Sequence, residues 1–344
     1  MTFASIFFFG SCNSEKEIPL FEGVGFPVGS SYRTEVALKD ENFSQILRKE
    51  FNSITAANIM KMRSVLVSRD SFDFGKVDSF LTDAESYGQR VHGHTLVWHQ
   101  ATPHFIKEIE NASEMDAFLH KYISEYVSRY KGRVAGWDVV NEAISDSTGR
   151  FRKSCYYNTL GVDFIEKSFR YAHEADPGAI LFYSDYMIEG DTIKLKATLD
   201  LIKYLREKEV PVDGIGFQMH TMIDSPDVNQ IKESLNAFAE LGLQVHISEL
   251  DVRINSYKSG QRYDYYTDDL QMALADRYFE LALAYRQCVP DSLRYGITLW
   301  GFSDRYTWIR SYFKSLDWPC IYDDMLRKKQ AYSSFREGLI QPLD

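Results

Sequence analysis

Between residues 20 and 344 the chain repeats one pattern: a short apolar run, then a longer stretch whose apolar positions recur every three to four residues. The short runs are FPVGS (26–30), FNSIT (51–55), RVHGHTL (90–96), VAGWDVVN (134–141), AILFYSD (179–185), GIGFQMH (214–220), VHISELD (245–251) and YGITLWG (295–301). Each has the length of a strand buried on both faces. Between the third and fourth runs, residues 116–130 place Phe118, Leu119, Tyr122, Ile123, Tyr126 and Val127 on one stripe of an amphipathic helix. Eight such units in one chain predict an α/β fold of the (β/α)8 TIM-barrel type, because a doubly wound sheet usually stops at about five to seven strands. No proline run or low-complexity linker divides residues 21–344, which read as a single domain, and none of their apolar segments approaches the ~18 residues of a membrane span.

Strand periodicity also sorts the polar residues. Side chains two apart share a face, which groups His92, His94, Leu96 and Trp98 on the third strand and Gly214, Gly216, Gln218 and His220 on the sixth. Asn141 and Glu142 end the fourth strand, and Glu249 shares its parity with Asp251 near the end of the seventh. Barrel closure brings both glutamates to the C-terminal mouth, the rim where catalytic side chains gather. A carboxyl pair suits glycosidic cleavage: one protonates the leaving oxygen, and the other, ionised, meets an oxocarbenium-like carbon. The plainer reading makes each glutamate a helix cap. Asp138, of the same parity as Glu142, is expected to brace the site rather than react.

Composition trims the alternatives. A formal charge of −10 and a pI near 5.4 argue against a nucleic-acid partner, which needs clustered Lys and Arg. The 22 Tyr, 23 Phe and 5 Trp suit stacking on sugar faces as well as an aromatic core. At the N-terminus an apolar run over residues 3–9 leads to Gly10, Ser11 and Cys12 and then turns polar, like the end of a bacterial lipoprotein signal. Residues 1–20 are therefore expected to be a signal remnant and short tether, the alternative being a cytosolic N-terminal extension, since the apolar run is short and no Lys or Arg precedes it. A lipidated Cys12 would anchor a secreted or cell-envelope protein to a membrane. Cys155, Cys288 and Cys320 lack CxxC spacing, which argues against a zinc site and leaves any disulfide pairing unspecified.

The motifs GHTLVWH (93–99), WDVVNEA (137–143), VDGIGFQMH (212–220), HISELDV (246–252) and LWGFSDRYTW (299–308) stand in the order and spacing of glycoside hydrolase family 10. The chain resembles that family, mainly endo-β-1,4-xylanases, over nearly its whole length. The resemblance implies retaining hydrolysis of xylan or xylo-oligosaccharides, with Glu142 as acid/base and Glu249 as nucleophile; no metal or cofactor is expected, and a monomer is expected although the sequence does not specify the oligomeric state. It further implies that His220 donates to Glu249 while Asp251 orients the imidazole, and that Asn141 meets the 2-hydroxyl of the sugar being cleaved. His94 and Gln218 would reach that −1 sugar, Trp98, Trp300 and Trp308 would wall it, and Asn58 and Lys61 would bind the −1 and −2 sugars. Tyr186 is expected on the aglycone side.

Two departures concern the −2 subsite. The family's F-N-x-x-T-x-E-N-x-M-K segment is FNSITAANIMK, with Ala57 for Glu, and W-H-S-Q-x-P is WHQATP, with Ala101 for Gln unless Gln100 substitutes. Two rival functions draw on the same residues. A metal-dependent hydrolase would draw on His92, His94, His220, His246 and Asp304, although His246 has the wrong parity. A glycan-binding barrel without chemistry would be expected to lack one of the two glutamates.

Overall fold

The computed structural model describes residues 17–343 apart from 147, 256–259 and 261, so Cys12 lies outside the described residues. Eight parallel strands form the barrel: β1 (Val28–Tyr32), β2 (Ser53–Ala56), β3 (Arg90–Trp98), β4 (Gly136–Asn141), β5 (Ile180–Asp185), β6 (Gly214–Phe217), β7 (Gln244–Arg253) and β8 (Arg294–Leu299). Closure is explicit in the register. Ile297 of β8 pairs with Val28 of β1 on one side and with Ile247 of β7 on the other. Every predicted apolar run overlaps one of these strands, the sixth extending beyond the end of its strand.

Outside them lie α1 (Glu41–Glu50), α2 (Gly75–Ser86), α3 (Ala112–Arg129), α4 (Asp163–Ala175), α5 (Thr192–Glu207), α6 (Val228–Ala239), α7 (Asp268–Cys288) and α8 (Gln330–Ile340). Local chemistry starts several of them: Asp40, Asn111, Asp191 and Thr267 each accept from a backbone N–H of the first turn, and Asp227 completes a capping box with Gln230. The stripe expected on α3 is buried in full, joined by Met115.

Strand periodicity breaks at two places near the mouth. In β3 the register to β4 shifts between His94 and Val97, so the alternation that starts at His92 does not run unbroken to Trp98. After Phe217 the chain leaves the barrel strand because Met219 takes a left-handed φ of 57°. His220 then begins a separate short strand, His220–Met222, that pairs with the end of β7 (His220 opposite Asp251). His220 thus reaches the site through a turn and not through the parity of a continuous strand.

Below the mouth the barrel is filled. His92, Phe182, His246 and Tyr295 pack edge to face, with centroids 4.5 Å apart for Phe182 and Tyr295 and 4.6 Å for His92 and His246. Gly214 makes this possible, since a Cβ there would stand 2.2 Å from the Phe182 ring. Above this plug the two glutamates and their hydrogen-bonding partners converge. The three described cysteines, Cys155, Cys288 and Cys320, are free thiols.

Candidate active site

Glu142 follows the last residue of β4, and its N–H donates to the Ser184 carbonyl of β5 at 2.9 Å. Its φ of 58° departs from the strand and turns the side chain into the mouth, where the residue is 5% exposed. Oε2 accepts from Trp98 Nε1 at 2.8 Å, and Oε1 accepts from Gln218 Nε2 at 3.0 Å and, more weakly, from Asn141 Nδ2 at 3.4 Å. Burial raises the pKa of this carboxyl, as do the charges of Asp185 and Glu249, and together they outweigh the two stronger hydrogen bonds, which favour ionisation.

Glu249, on β7, is equally buried but differently surrounded. Its Oε2 lies 3.4 Å from His220 Nε2, and its Oε1 lies 3.8 Å from His94 Nε2. On the other side of the His220 ring, Nδ1 is 3.1 Å from Asp251 Oδ2, which also accepts from Trp308 Nε1 at 2.8 Å. Burial opposes a charged imidazole here, yet Asp251 and Glu249 prevail and hold His220 well above the usual histidine range. The charged form of the imidazole is thereby favoured beside Glu249. His94 is anchored by Nδ1, 2.8 Å from Asp138 Oδ2. Despite complete burial, His92 and His94 hold Asp138 well below the usual carboxylate range, which favours its ionised form as it braces His94.

Indole and imidazole rings enclose the space between the two glutamates. Trp300 packs 5.2 Å from His94, Trp308 packs 5.2 Å from His220, and Lys61 places Nζ 4.8 Å from the Trp98 ring and 5.9 Å from that of Trp300. Burial lowers the Lys61 pKa to about 8. Asn58 is exposed nearby, and its carbonyl accepts from the Lys61 N–H at 3.0 Å. Tyr186 stands at the β5 end of the mouth with Lys194 Nζ 3.6 Å from its ring centre, so one face is occupied. The two glutamates, Asn141, His94, Trp98, Gln218, His220, Asp251, Trp300, Trp308 and Lys61 are thus linked by contacts around one cleft, with Asn58 joined through Lys61 and Tyr186 through Lys194.

Several residues with large effects escaped the sequence reading. Lys194, fully buried on α5, lies 2.8 Å from Asp185 and 3.0 Å from Asp146. Arg152 binds Asp146 at 2.8 Å and donates from Nε to the Glu142 carbonyl at 3.0 Å. Asp185, a carboxylate at a strand end, was legible by the rim argument. Nothing local marks Lys194 or Arg152. Glu189 is also buried, with Oε2 unpartnered, and burial pushes it up to about 7. The rival metal set does not converge: His246 is held inside the barrel by Thr298 at 2.9 Å, and Asp304 is taken by Lys329 at 2.9 Å.

Residues 19–337 match the model of glycosyl hydrolase family 10. Endo-1,4-beta-xylanase B of Thermotoga neapolitana is 37% identical over 322 residues, 93% of this chain and 89% of that protein. Endo-1,4-beta-xylanase A of Cellvibrio japonicus is also 37% identical over 86% of this chain, which spans 51% of that longer relative. Among solved structures, xylanase 10B of Thermotoga petrophila in complex with xylobiose superposes with a TM-score of 0.86 at 36% identity, covering 94% of this chain and 98% of the other. With the family model matched over nearly the whole chain and a closed barrel carrying the paired glutamates at its mouth, the protein belongs to glycosyl hydrolase family 10.

Proposed function

We propose that the protein is a retaining endo-β-1,4-xylanase working by double displacement, with Glu142 as acid/base and Glu249 as nucleophile. The unequal environment of the two carboxyls carries this reading. Glu142 is biased towards its protonated form, which a general acid requires, whereas Glu249 Oε2 has the His220 imidazole 3.4 Å away, a donor placed to orient a nucleophile. Attack by Glu249 on the anomeric carbon forms a glycosyl ester as Glu142 protonates the departing oxygen. Glu142, now ionised, takes a proton from the water that cleaves the ester, and both groups return to their starting states. Asn141 and Gln218, hydrogen-bonded to each other at 3.2 Å, are placed to meet sugar hydroxyls beside this centre. Xylan as substrate is supported by the named activities of the relatives and by the xylobiose held by one of them.

The test is the anomer released first. NMR of xylo-oligosaccharide hydrolysis is expected to show the β product before mutarotation, and an α product would overturn the mechanism. Glu249→Ala is expected to lose turnover of every substrate. Glu142→Ala is expected to spare the first step for aryl glycosides with good leaving groups, which need no proton. A chain that binds xylan but releases no reducing ends would instead be a glycan-binding barrel.

A finer reading concerns the −2 subsite, where Ala57 and Ala101 truncate two expected polar side chains. Each lost sugar contact costs about 0.5–1.5 kcal/mol, so weaker −2 binding and tolerance of a hydroxymethyl-bearing sugar follow. Ala101 is 1% exposed, its methyl enclosed by protein, so the space argument rests mainly on Ala57 at 8%, while Gln100 beside Ala101 is exposed. Comparing kcat/KM for aryl xylobioside, xyloside and cellobioside decides it. A large gain from the second xylose together with firm rejection of cellobioside refutes the open subsite.

A further inference from the structure

Beneath the cleft, the anchoring of His94 continues into the barrel interior through groups that the reaction does not touch. Asp138 holds His94 Nδ1 with Oδ2 at 2.8 Å, and its other oxygen, Oδ1, lies 3.1 Å from His92 Nε2, in contact although off the hydrogen-bond axis. The far nitrogen of His92, Nδ1, is 3.0 Å from the hydroxyl of Tyr295. All four side chains are buried. Gly136 admits the hydroxyl, because a Cβ at that position would stand 2.7 Å from it.

Proton accounting gives this row a direction. Burial raises Tyr295 to about 12, so its hydroxyl keeps its proton, and the hydrogen-bonding atom within reach is His92 Nδ1. A hydroxyl donating there leaves Nδ1 as the acceptor and puts the ring proton of His92 on Nε2, facing Asp138. Asp138 thus meets an N–H from His92 on one oxygen and accepts from His94 on the other. A carboxylate so placed has no proton to give, and His94 must carry its own proton on Nδ1. The neighbouring His246 does not bond to the row: its Nε2 is 2.9 Å from Thr298 Oγ1, and its Nδ1 has no hydrogen-bond partner among the described residues. Arg90 stacks on the Tyr295 ring at 4.0 Å and donates from Nη1 to the Tyr295 carbonyl at 2.7 Å, fixing that residue from below.

We propose that His92 and Tyr295 are positioning residues that set the tautomer of His94 through Asp138, so that Nδ1 of His94 carries a proton and Nε2 is the nitrogen presented to the −1 sugar beside Glu249. The hydroxyl at the barrel core thereby decides what hydrogen-bonding face the cleft shows to substrate. The idea rests on the proposed sugar placement only for its kinetic consequence. The tautomer itself can be read without substrate, so a failure of the xylanase reading and a failure of this one are distinguishable.

Long-range proton–nitrogen NMR of labelled protein, with His94 identified by the signal lost in His94→Gln, reads the tautomer directly. The expected wild-type result is a proton on Nδ1 of His94 and on Nε2 of His92. His92→Leu is expected to mix the His94 tautomers and to lower kcat by about tenfold with KM within about twofold, the mark of a contact misplaced in the transition state. His92→Gln, which restores an N–H towards Asp138, is expected to recover most of kcat. Tyr295→Phe removes one oxygen and is expected to abolish the single tautomer of His92 and disturb that of His94. This variant decides the matter if His92→Leu does not fold. A neutral His94 protonated on Nε2 in the wild type overturns the proposal, as does an unchanged His94 signal and kcat in the folded variants.

Discussion

Glu142 and Glu249 differ in nothing but their surroundings, and the donors on each oxygen set the working pH range. Trp98 and Gln218 both donate to Glu142 and so favour its ionised form, against burial and the charge of Asp185. Trp98→Phe deletes one donor and keeps an aromatic wall. A hydrogen bond to a charged group contributes about 1.5–3 kcal/mol, and one pKa unit corresponds to about 1.4 kcal/mol, so loss of this donor should raise Glu142 by about one to two units. A general acid is active while protonated, so the basic limb of kcat/KM, where activity falls as pH rises through the Glu142 pKa, should move upward by the same amount. A limb that stays or moves down would show that the indole does not tune this group. Lys61 adds a second alkaline effect. With its pKa lowered to about 8 by burial, it loses its charge as pH rises past that value, and KM for short oligosaccharides is expected to climb there without a matching fall in kcat.

At the scale of elements, the mouth is held by charges contributed from three segments. Lys194 in the first turn of α5 reaches Asp185 at the end of β5 and Asp146 in the loop after β4, and the Tyr183 hydroxyl completes Asp185 at 2.6 Å. Lys194→Met would leave Asp185 buried without its cation, a loss of about 3 kcal/mol, with little added from the partly exposed Asp146. The sign of the pH dependence follows from burial, which raises Asp185 in the folded state. Its contribution to stability is full below the unfolded pKa and lost as pH rises through the folded one. The variant's deficit in thermal midpoint should therefore be larger at pH 8 than at pH 4.5, and an equal deficit at both would contradict the assignment. This cluster also marks where the sequence stops being legible. Alternating apolar runs suffice for the barrel, because both periods are local, and five motifs suffice for the glutamates and their histidine. The meaning of Lys194 or Arg152 depends on which strand end a helix start or loop comes to face, and no period encodes that. His220 is the intermediate case: its motif marked it, but the turn at Met219 that delivers it has no sequence signal, and strand parity described it as part of β6.

For the molecule as a whole, a barrel closed between β8 and β1 brings the segment before β1 beside α8, and one buried carboxylate fastens them. Glu50, the last residue of α1, is 2% exposed; its Oε2 accepts from the Leu20 N–H at 2.8 Å and the Tyr332 hydroxyl of α8 at 2.7 Å, while Oε1 lies 3.3 Å from Lys328. Arg336 of α8 adds bonds to the Leu20 and Glu22 carbonyls at 3.2 and 3.1 Å. The segment before β1, the first helix and the last helix thus share one polar node, while Leu20 itself is buried in the core. Glu50→Gln keeps the volume but removes the charge, weakening three contacts and placing an amide N–H₂ near donors it cannot satisfy. Hydrogen bonds to a charged group suggest a loss of about 2 kcal/mol, which in a domain of this size lowers the thermal midpoint by about 3 °C. Because none of these residues adjoins the catalytic cleft, kcat at 25 °C is expected to stay within about twofold of wild type. If closure is the property at stake, calorimetry should show one cooperative transition shifted downward. A small early transition, with the main one unmoved, would mean that Glu50 secures only the chain ends and that the barrel closes without it.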